Sequence, residues 1–325
     1  MKYVVTGGGG FVGAHLCRRL ASDGHLVSAI DVRPHPAPLR HERITYTATD
    51  LRDGARWHEQ LSGADTVFHL ASVHLQVGAA DEEFRDVNVR ASIDVAEASV
   101  REGVRRFIHV STVGIYGHIE HPPAHEDTAR LPINAYERTK LEGENAVTEL
   151  ASRIDLDLRV IRPAWVFGPG CPRTAKLLRS IKRGRFFFVG RGSNLRHPVY
   201  VDDVVESLLL ASQAPAATRR DYNIAGPSAL TLRQLVDTCA ETLGAPRPRW
   251  RLPRPAMIAA GRAAEVGSRL VGKEPPFSRR SLAFFENDNA FDGSAAQRDL
   301  GFTPRVAFDD GIRRTLADTV WPLAL

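Results

Sequence analysis

The sequence predicts an α/β protein: a doubly wound parallel sheet followed by a smaller C-terminal α/β lobe. Three observations predict it. Short apolar runs alternate with helical patterns through roughly the first 170 of 325 residues, as parallel βαβ units read. A glycine-rich turn, TGGGGFVG (6–13), joins the first run to the first helical pattern. Beyond that stretch the alternation loosens into shorter runs, as expected of an added lobe.

The elements follow in order. KYVV (2–5) is a β-rich run, 14–24 carries apolar residues at helical spacing and stops at a glycine, and 25–31 is the next strand. Strands are expected at 43–50 and 65–71, with a helix at 52–62 between them. One long helix is expected over 81–103, ending at Gly103. Residues 105–117 form a strand running into a loop, 135–153 a helix, and 157–170 a strand with a Gly/Pro turn. In the second part, helices are expected at 173–183, 231–244 and 257–271, short strands at 186–190 and 221–226, and a strand and helix within 196–212. The tail 289–321 ends in an amphipathic helix. This divides the chain into 1–170 and 171–325, with some later segments returning to the first domain.

Hydrophobic residues make up 43% and charged residues 25%, which excludes a fibrous or wholly disordered chain. The 38 Arg and 5 Lys outnumber 38 acids, giving +5. The charge is spread along the chain without a basic tail or finger, which argues against nucleic acid as partner. Cys17, Cys171 and Cys239 lie far apart and need no disulfide at this size. No apolar run is long enough to span a membrane. A cytoplasmic enzyme is the expectation.

Gly7, Gly10 and Gly13 stand between a strand and a helix. There, glycines allow a tight turn, close approach of a pyrophosphate and close helix–sheet packing, the arrangement of a Rossmann-like dinucleotide site. Phe11 and Val12 lie within this turn, which meets the phosphates, whose charge suits the N-terminus of the helix that follows. Asp31, at the end of the second strand, is placed to accept both adenosine ribose hydroxyls and favours NAD over NADP. Arg33 and His35 nearby are the residues that would approach a 2′-phosphate. Asp50, ending the third strand and followed by Leu51, is placed to meet the adenine amino group or to cap its own loop.

Tyr136 and Lys140 share one helical face at a spacing of four. A neighbouring ammonium lowers a phenol pKa, and such a phenol exchanges protons with an alcohol or ketone. Thr112, at the end of a sheet strand, can orient the same substrate oxygen.

Together these motifs resemble the extended short-chain dehydrogenases/reductases, of the NAD-dependent epimerase/dehydratase type. The resemblance covers essentially the whole chain, through TGGGGFVG, Asp31, Asp50-Leu51, HLAS (69–72), Asn88, STVGIYG (111–117), YERTK (136–140), RPAWVFGP (162–169) and HPVYVDDVV (197–205). It implies Thr112, Tyr136 and Lys140 as the catalytic trio. It places Leu70, Ala71, Ser72 and Pro163 beside NAD, with Tyr136 and Lys140 also touching it and Asn88 propping the loop around the site. Asp203 is expected to be structural. His74, Thr112, Tyr136 and Arg196 are candidates to touch substrate, Arg196 as a phosphate clamp within the acid-free stretch 173–196. Val113-Gly114 stand where the family's 4,6-dehydratases carry Asp-Glu and its decarboxylases a Glu. The expectation is therefore an NAD-dependent nucleotide-sugar 4-epimerase acting through a 4-keto intermediate, with a dehydrogenase or ketoreductase of a sugar or sterol-like molecule as the alternative and a non-catalytic dinucleotide-binding protein behind both. No metal is required, and a homodimer is compatible with the fold.

Overall fold

The computed structural model describes residues 1–74, 81–154, 156–215, 220–253, 255–259, 284–285 and 287–322. Strands β1 (Lys2–Thr6), β2 (Leu26–Asp31), β3 (Ile44–Ala48), β4 (Thr66–His69), β5 (Arg106–Val110) and β6 (Asp157–Pro163) follow the expected order. Short strands come after them: β7 (Trp165–Phe167), β8 (Phe188–Val189), β9 (Leu195–Arg196), β10 (Pro198–Tyr200), β11 (Asp221–Ile224), β12 (Leu230–Thr231) and β13 (Arg251–Leu252). The main sheet has seven strands in the order β3-β2-β1-β4-β5-β6-β11, and each of its pairs is parallel.

The helices are α1 (Phe11–Ser22), α2 (Asp81–Arg85), α3 (Ala91–Arg101), α4 (Ala135–Arg153), α5 (Pro172–Lys182), α6 (Val201–Gln213), α7 (Leu232–Thr242), α8 (Ser294–Leu300) and α9 (Phe308–Ala317). Side chains alternate across a strand, so β1 sends Tyr3 and Val5 to one face and Val4 to the other. The first face packs on Leu16 and Leu20 of α1 and Val204 and Leu208 of α6. The second packs on Val95 of α3 and Val147 of α4. With both faces covered, the strands read as nearly continuous apolar runs. A third cluster, with Leu178, Phe188, Leu235 and Phe308, forms the core of the smaller lobe. Strand β11 and helix α6 belong to the main layers although they follow the first lobe residues.

Three local expectations are corrected. Residues 52–62 form two 3₁₀ turns, Gly54–Arg56 and His58–Leu61, where Trp57 is buried and its indole donates to the Leu51 carbonyl at 2.9 Å. Helix α1 begins at Phe11, directly out of the glycine loop. The long helix over 81–103 is interrupted by a π-helical turn, Asp86–Arg90. This turn lies against α4 so closely that a Cβ at Gly143 would strike the Asn88 carbonyl. The helix expected at 257–271 lies almost wholly outside the described residues.

Candidate active site

The glycine loop is built to leave space. Gly7 has φ +70°, and a Cβ there would sit 2.7 Å from the Ala71 backbone nitrogen, a conformation and an approach that only glycine accepts. A Cβ at Gly13 would strike the Gly7 carbonyl, and one at Gly10 would lie 3.0 Å from it. Helix α1 starts at N-cap Gly10 with no side-chain cap and no acid in its first turn, where Phe11 and Val12 stand. Its end N–H groups thus have no side chain competing for them, and the helix dipole favours an anion there. These residues fit the pyrophosphate of a dinucleotide.

Asp31 lies against this loop, accepting from the backbone of Gly9 and of Arg33, both at 3.0 Å. The Arg33 guanidinium reaches the Gly9 carbonyl at 3.4 Å, and His35 stacks on Tyr46. Asp50 is held by Arg52, with Nη2 2.6 Å from Oδ2, and that pairing keeps its carboxyl below the usual range. Its carboxylate therefore serves its own turn, and Leu51 is buried behind it.

On β4, His69 is sealed between Thr6 (2.8 Å) and Ser92 (2.9 Å). Leu70, Ala71 and Ser72 follow as half-buried loop residues. Asn88 is fully buried: it accepts from Val73 N at 2.9 Å and donates to Thr139 Oγ1 at 3.0 Å. It thereby ties the 70–73 loop to the helix bearing Tyr136. Pro163 ends β6 opposite Ile224.

Asn134 caps α4 by accepting from Glu137 N at 3.0 Å. Tyr136 thus lies in the first turn and Lys140 one turn on. Thr112 caps a 3₁₀ turn, accepting from Gly114 N at 3.1 Å. No acid stands at position 114, where a Cβ would lie 3.0 Å from Glu137 Cγ.

The electrostatics differ from the sequence expectation. Lys140 is buried and donates to the Val110 carbonyl at 2.7 Å; burial lowers its pKa to about 8, against the pull of Glu144. Burial also pushes the Tyr136 phenol up to about 12. The groups that pull it back are, first, the charge of Arg173 and then hydrogen bonding with Thr112, while Glu137 opposes them. Lys140 stands deeper in the fold, bound to a strand carbonyl, and it is Arg173 that brings positive charge to the phenol.

Arg173 was only one of several cations in the stretch 173–196; the structure singles it out. Its Nη2 is 2.6 Å from His74 Nε2, and the His74 ring meets Tyr136 edge-on with centroids 4.5 Å apart. Arg196 has a different setting. It is 3% exposed, donates to the carbonyls of Asn287 (3.0 Å), Leu195 (3.3 Å) and Phe284, and lies over the Phe284 ring. The structure does not bring it to Tyr136. Asp203 accepts from the backbone of Arg305 and Val306, both at 3.1 Å, which fastens the C-terminal segment. Two further features carried no signal in the sequence. His109 stacks on His69 in the interior, and the buried Ser111 hydroxyl beside Thr112 has no hydrogen-bond partner. Among the described residues no cluster of potential metal ligands exists, and no helix is long and apolar enough to cross a membrane.

The chain is similar to known proteins over nearly its whole length. A 2-alkyl-3-oxoalkanoate reductase of Stenotrophomonas maltophilia is 29% identical, with 98% of this chain and 99% of that protein covered. The structure of a UDP-glucose 4-epimerase from Thermotoga maritima with UDP-glucose superposes with a TM-score of 0.80 at 25% identity, covering 97% of each chain. That of MoeE5 with UDP-glucuronic acid and NAD gives 0.78 at 27%, covering 97% of this chain and 98% of that one. The family model described as the NAD dependent epimerase/dehydratase family matches residues 3–225. Sheet order, glycine cradle and family match agree: the chain belongs to the NAD dependent epimerase/dehydratase family and is an NAD-dependent enzyme of the extended short-chain dehydrogenase/reductase type.

Proposed function

We propose that this enzyme is a nucleotide-sugar 4-epimerase in which Tyr136 moves the proton, Thr112 orients the reacting oxygen and Lys140 holds the site from below. Residues 1–170 form the cofactor domain and 171–325 mainly the substrate lobe, with some segments returning to the first domain. The observation that carries the reading is the placing of Thr112, the cap of the turn after β5, and Tyr136, in the first turn of α4, close enough for the hydroxyl to favour the phenolate, beside a position 114 with no acid. This leaves transfer of a proton and a hydride at one carbinol, without the acid groups needed for elimination. The similarity to the two sugar-nucleotide complexes supports the substrate class.

Tyr136 as phenolate takes the proton from the sugar 4-hydroxyl as the C4 hydride leaves. Bound NAD supplies the acceptor and then the donor of that hydride. With NAD bound, a 4-keto sugar could be reduced on either face, and Tyr136 would return the proton to its oxygen while Thr112 kept that oxygen oriented. Asp31 and the start of α1 hold the dinucleotide so that the reaction is redox-neutral.

A second reading, net reduction of a ketone, is favoured by two observations. The phenol is pushed up to about 12 and thus carries a proton to donate, and Arg196 is turned into the protein. A panel of UDP- and dTDP-hexoses, followed for C4 epimers and for NADH, decides between them. Epimers without accumulating NADH are expected. Tyr136→Phe is expected to lower turnover by about 10³-fold while still binding NADH. Stoichiometric NADH from a free alcohol, with no interconversion across the panel, would sink the epimerase reading.

A further inference from the structure

A line of rings runs from the start of α1 to the tail of the chain. Phe11, the first residue of α1, meets His15 edge-on with centroids 5.6 Å apart. His15, one turn further on, is stacked on Trp321 with centroids 4.0 Å apart and an interplanar angle of 24°. Trp321 lies in the tail beyond Asp318, the residue that ends α9. Asp318 Oδ1 accepts from the backbone of Val320 at 2.9 Å and of Trp321 itself at 2.7 Å, which fixes where the indole goes. The Arg18 guanidinium lies 4.8 Å from the centre of the same ring, where a cation is attracted to an aromatic face. His15 and Arg18 are three residues apart and share a helix face, so α1 holds the indole at two points.

The indole also rests on the turn that enters the smaller lobe. Gly170 has φ +80°, and a Cβ there would lie 3.1 Å from Trp321 Cγ and Cδ1. Glycine adopts that backbone readily and lets the ring lie against it. The neighbouring Pro169 carbonyl meets His15 Nε2 at 3.0 Å. A carbonyl only accepts, so Nε2 carries the ring proton, and Nδ1 faces Asp202 of α6 at 3.8 Å. Cys171 closes the turn by donating from its backbone to the Gly168 carbonyl at 3.2 Å, and it is the N-cap residue of α5. Trp321 thus sits where the cofactor helix, the turn leading into α5 and the tail meet.

We propose that Trp321 is a positioning residue for the dinucleotide: acting through His15, it sets the direction in which α1 leaves the glycine loop and fastens that helix to the 168–171 turn. A helix presents its end N–H groups to an anion only along the line in which it points. Close packing of Gly13 on the Gly7 carbonyl fixes the start of α1 against the sheet. The ring stack fixes it from the other side, where Phe11 packs against the core cluster of the smaller lobe. The inference needs only the dinucleotide and goes beyond the epimerase reading, so it holds whichever substrate the enzyme takes.

NADH binding to the whole enzyme tests it, read by nicotinamide fluorescence excited directly so that loss of an indole does not change the signal. Trp321→Ala should weaken NADH binding by about 10-fold. Trp321→Phe keeps a ring between His15 and Arg18 and should stay within about 2-fold of the wild type. His15→Ala should lose as much as Trp321→Ala, and the double variant no more than either alone, because each removes the same contact. Asp318→Ala frees the backbone of the tail without altering a ring and should weaken NADH by about 3-fold; it carries the test where Trp321→Ala does not fold. A Trp321→Ala protein that unfolds at lower urea yet binds NADH like the wild type would overturn the proposal and leave the indole a stabilising contact only. Losses that add in the double variant would overturn it too, as would a Phe variant as weak as the Ala variant or an Asp318→Ala protein with unchanged affinity. Failure of every nucleotide sugar to epimerise would end the epimerase reading and leave these outcomes as they are.

Discussion

Arg162 Nη2 lies 2.6 Å from Glu144 Oε1, and both side chains are almost wholly inside the protein, exposed by 1% and 3%. The pair joins β6 to α4, the helix that carries Tyr136 and Lys140. Arg162 also meets Asp221 on β11 at 2.6 Å and the Tyr116 hydroxyl at 2.9 Å, and Arg130 adds a second cation to Glu144 at 3.3 Å. The sheet edge, the helix bearing Tyr136 and the turn after Thr112 are thus tied at one buried point. Breaking one partner of such a pair leaves an uncompensated charge inside. Glu144→Gln should cost about 3 kcal/mol, measured by urea unfolding. A loss below about 0.5 kcal/mol would mean that Asp221 alone satisfies Arg162.

Lys140 is charged in the unfolded chain up to its ordinary pKa of 10.5 and in the folded protein only up to about 8. Between those values the unfolded state binds more protons, so stability rises with pH across that window. Below pH 8 both states carry the proton and burial costs the fold on the order of 3 kcal/mol. Lys140→Met should therefore stabilise the protein at pH 7, remove the rise between pH 8 and 10, and lower activity. Urea midpoints at pH 7 and 9.5 check the sign.

His69 and His109 are buried in contact with each other, and Lys140 adds its charge. Burial lowers His69 to about 3 and carries His109 well below the ordinary value of 6.5. As pH falls below 6.5 the unfolded imidazoles gain protons that the folded ones refuse, and stability is lost progressively. His109 has no hydrogen-bond partner for either ring nitrogen. His109→Leu should recover roughly 2 kcal/mol of the loss between pH 6.5 and 4.5, read from thermal or urea unfolding at the two pH values. An unchanged acid slope would contradict this.

Gly13→Ala places a methyl group against the Gly7 carbonyl. Helix α1 must then move off the loop that faces the pyrophosphate. NADH affinity should fall by at least about 100-fold, comparable to losing several phosphate hydrogen bonds, with circular dichroism showing a folded protein. Binding within a few-fold of the wild type would show that the loop adjusts without cost.

The βαβ order through residue 170 was legible because strands covered on both faces are apolar throughout and the intervening helices carry a 3.6-residue period. Helix α4 was read at its observed limits, since its N-cap Asn134 and its length are local features. The π-helical turn at Asp86–Arg90 was not legible: it arises where α4 presses on Asn88 at Gly143, and the local pattern continues unbroken through it. Residues 52–62 misled for a related reason. Their apolar spacing suits a helix, but Trp57 is drawn inward to the Leu51 carbonyl and the segment closes as two tight turns. The late strand β11 is ordinary as a sequence and gains its place only by pairing with β6.

By itself the sequence determined the glycine cradle, the Tyr136–Lys140 spacing and the absence of an acid at 113–114, because each depends on residue type and short-range geometry. Tertiary structure alone decided what the arginines do. Arg196 and Arg173 are equivalent as cations in one acid-free stretch, yet backbone carbonyls enclose the first and His74 draws the second to Tyr136. Charge is a property of the residue, but whether it meets a carbonyl, a carboxylate or an open site depends on which distant segments fold against it.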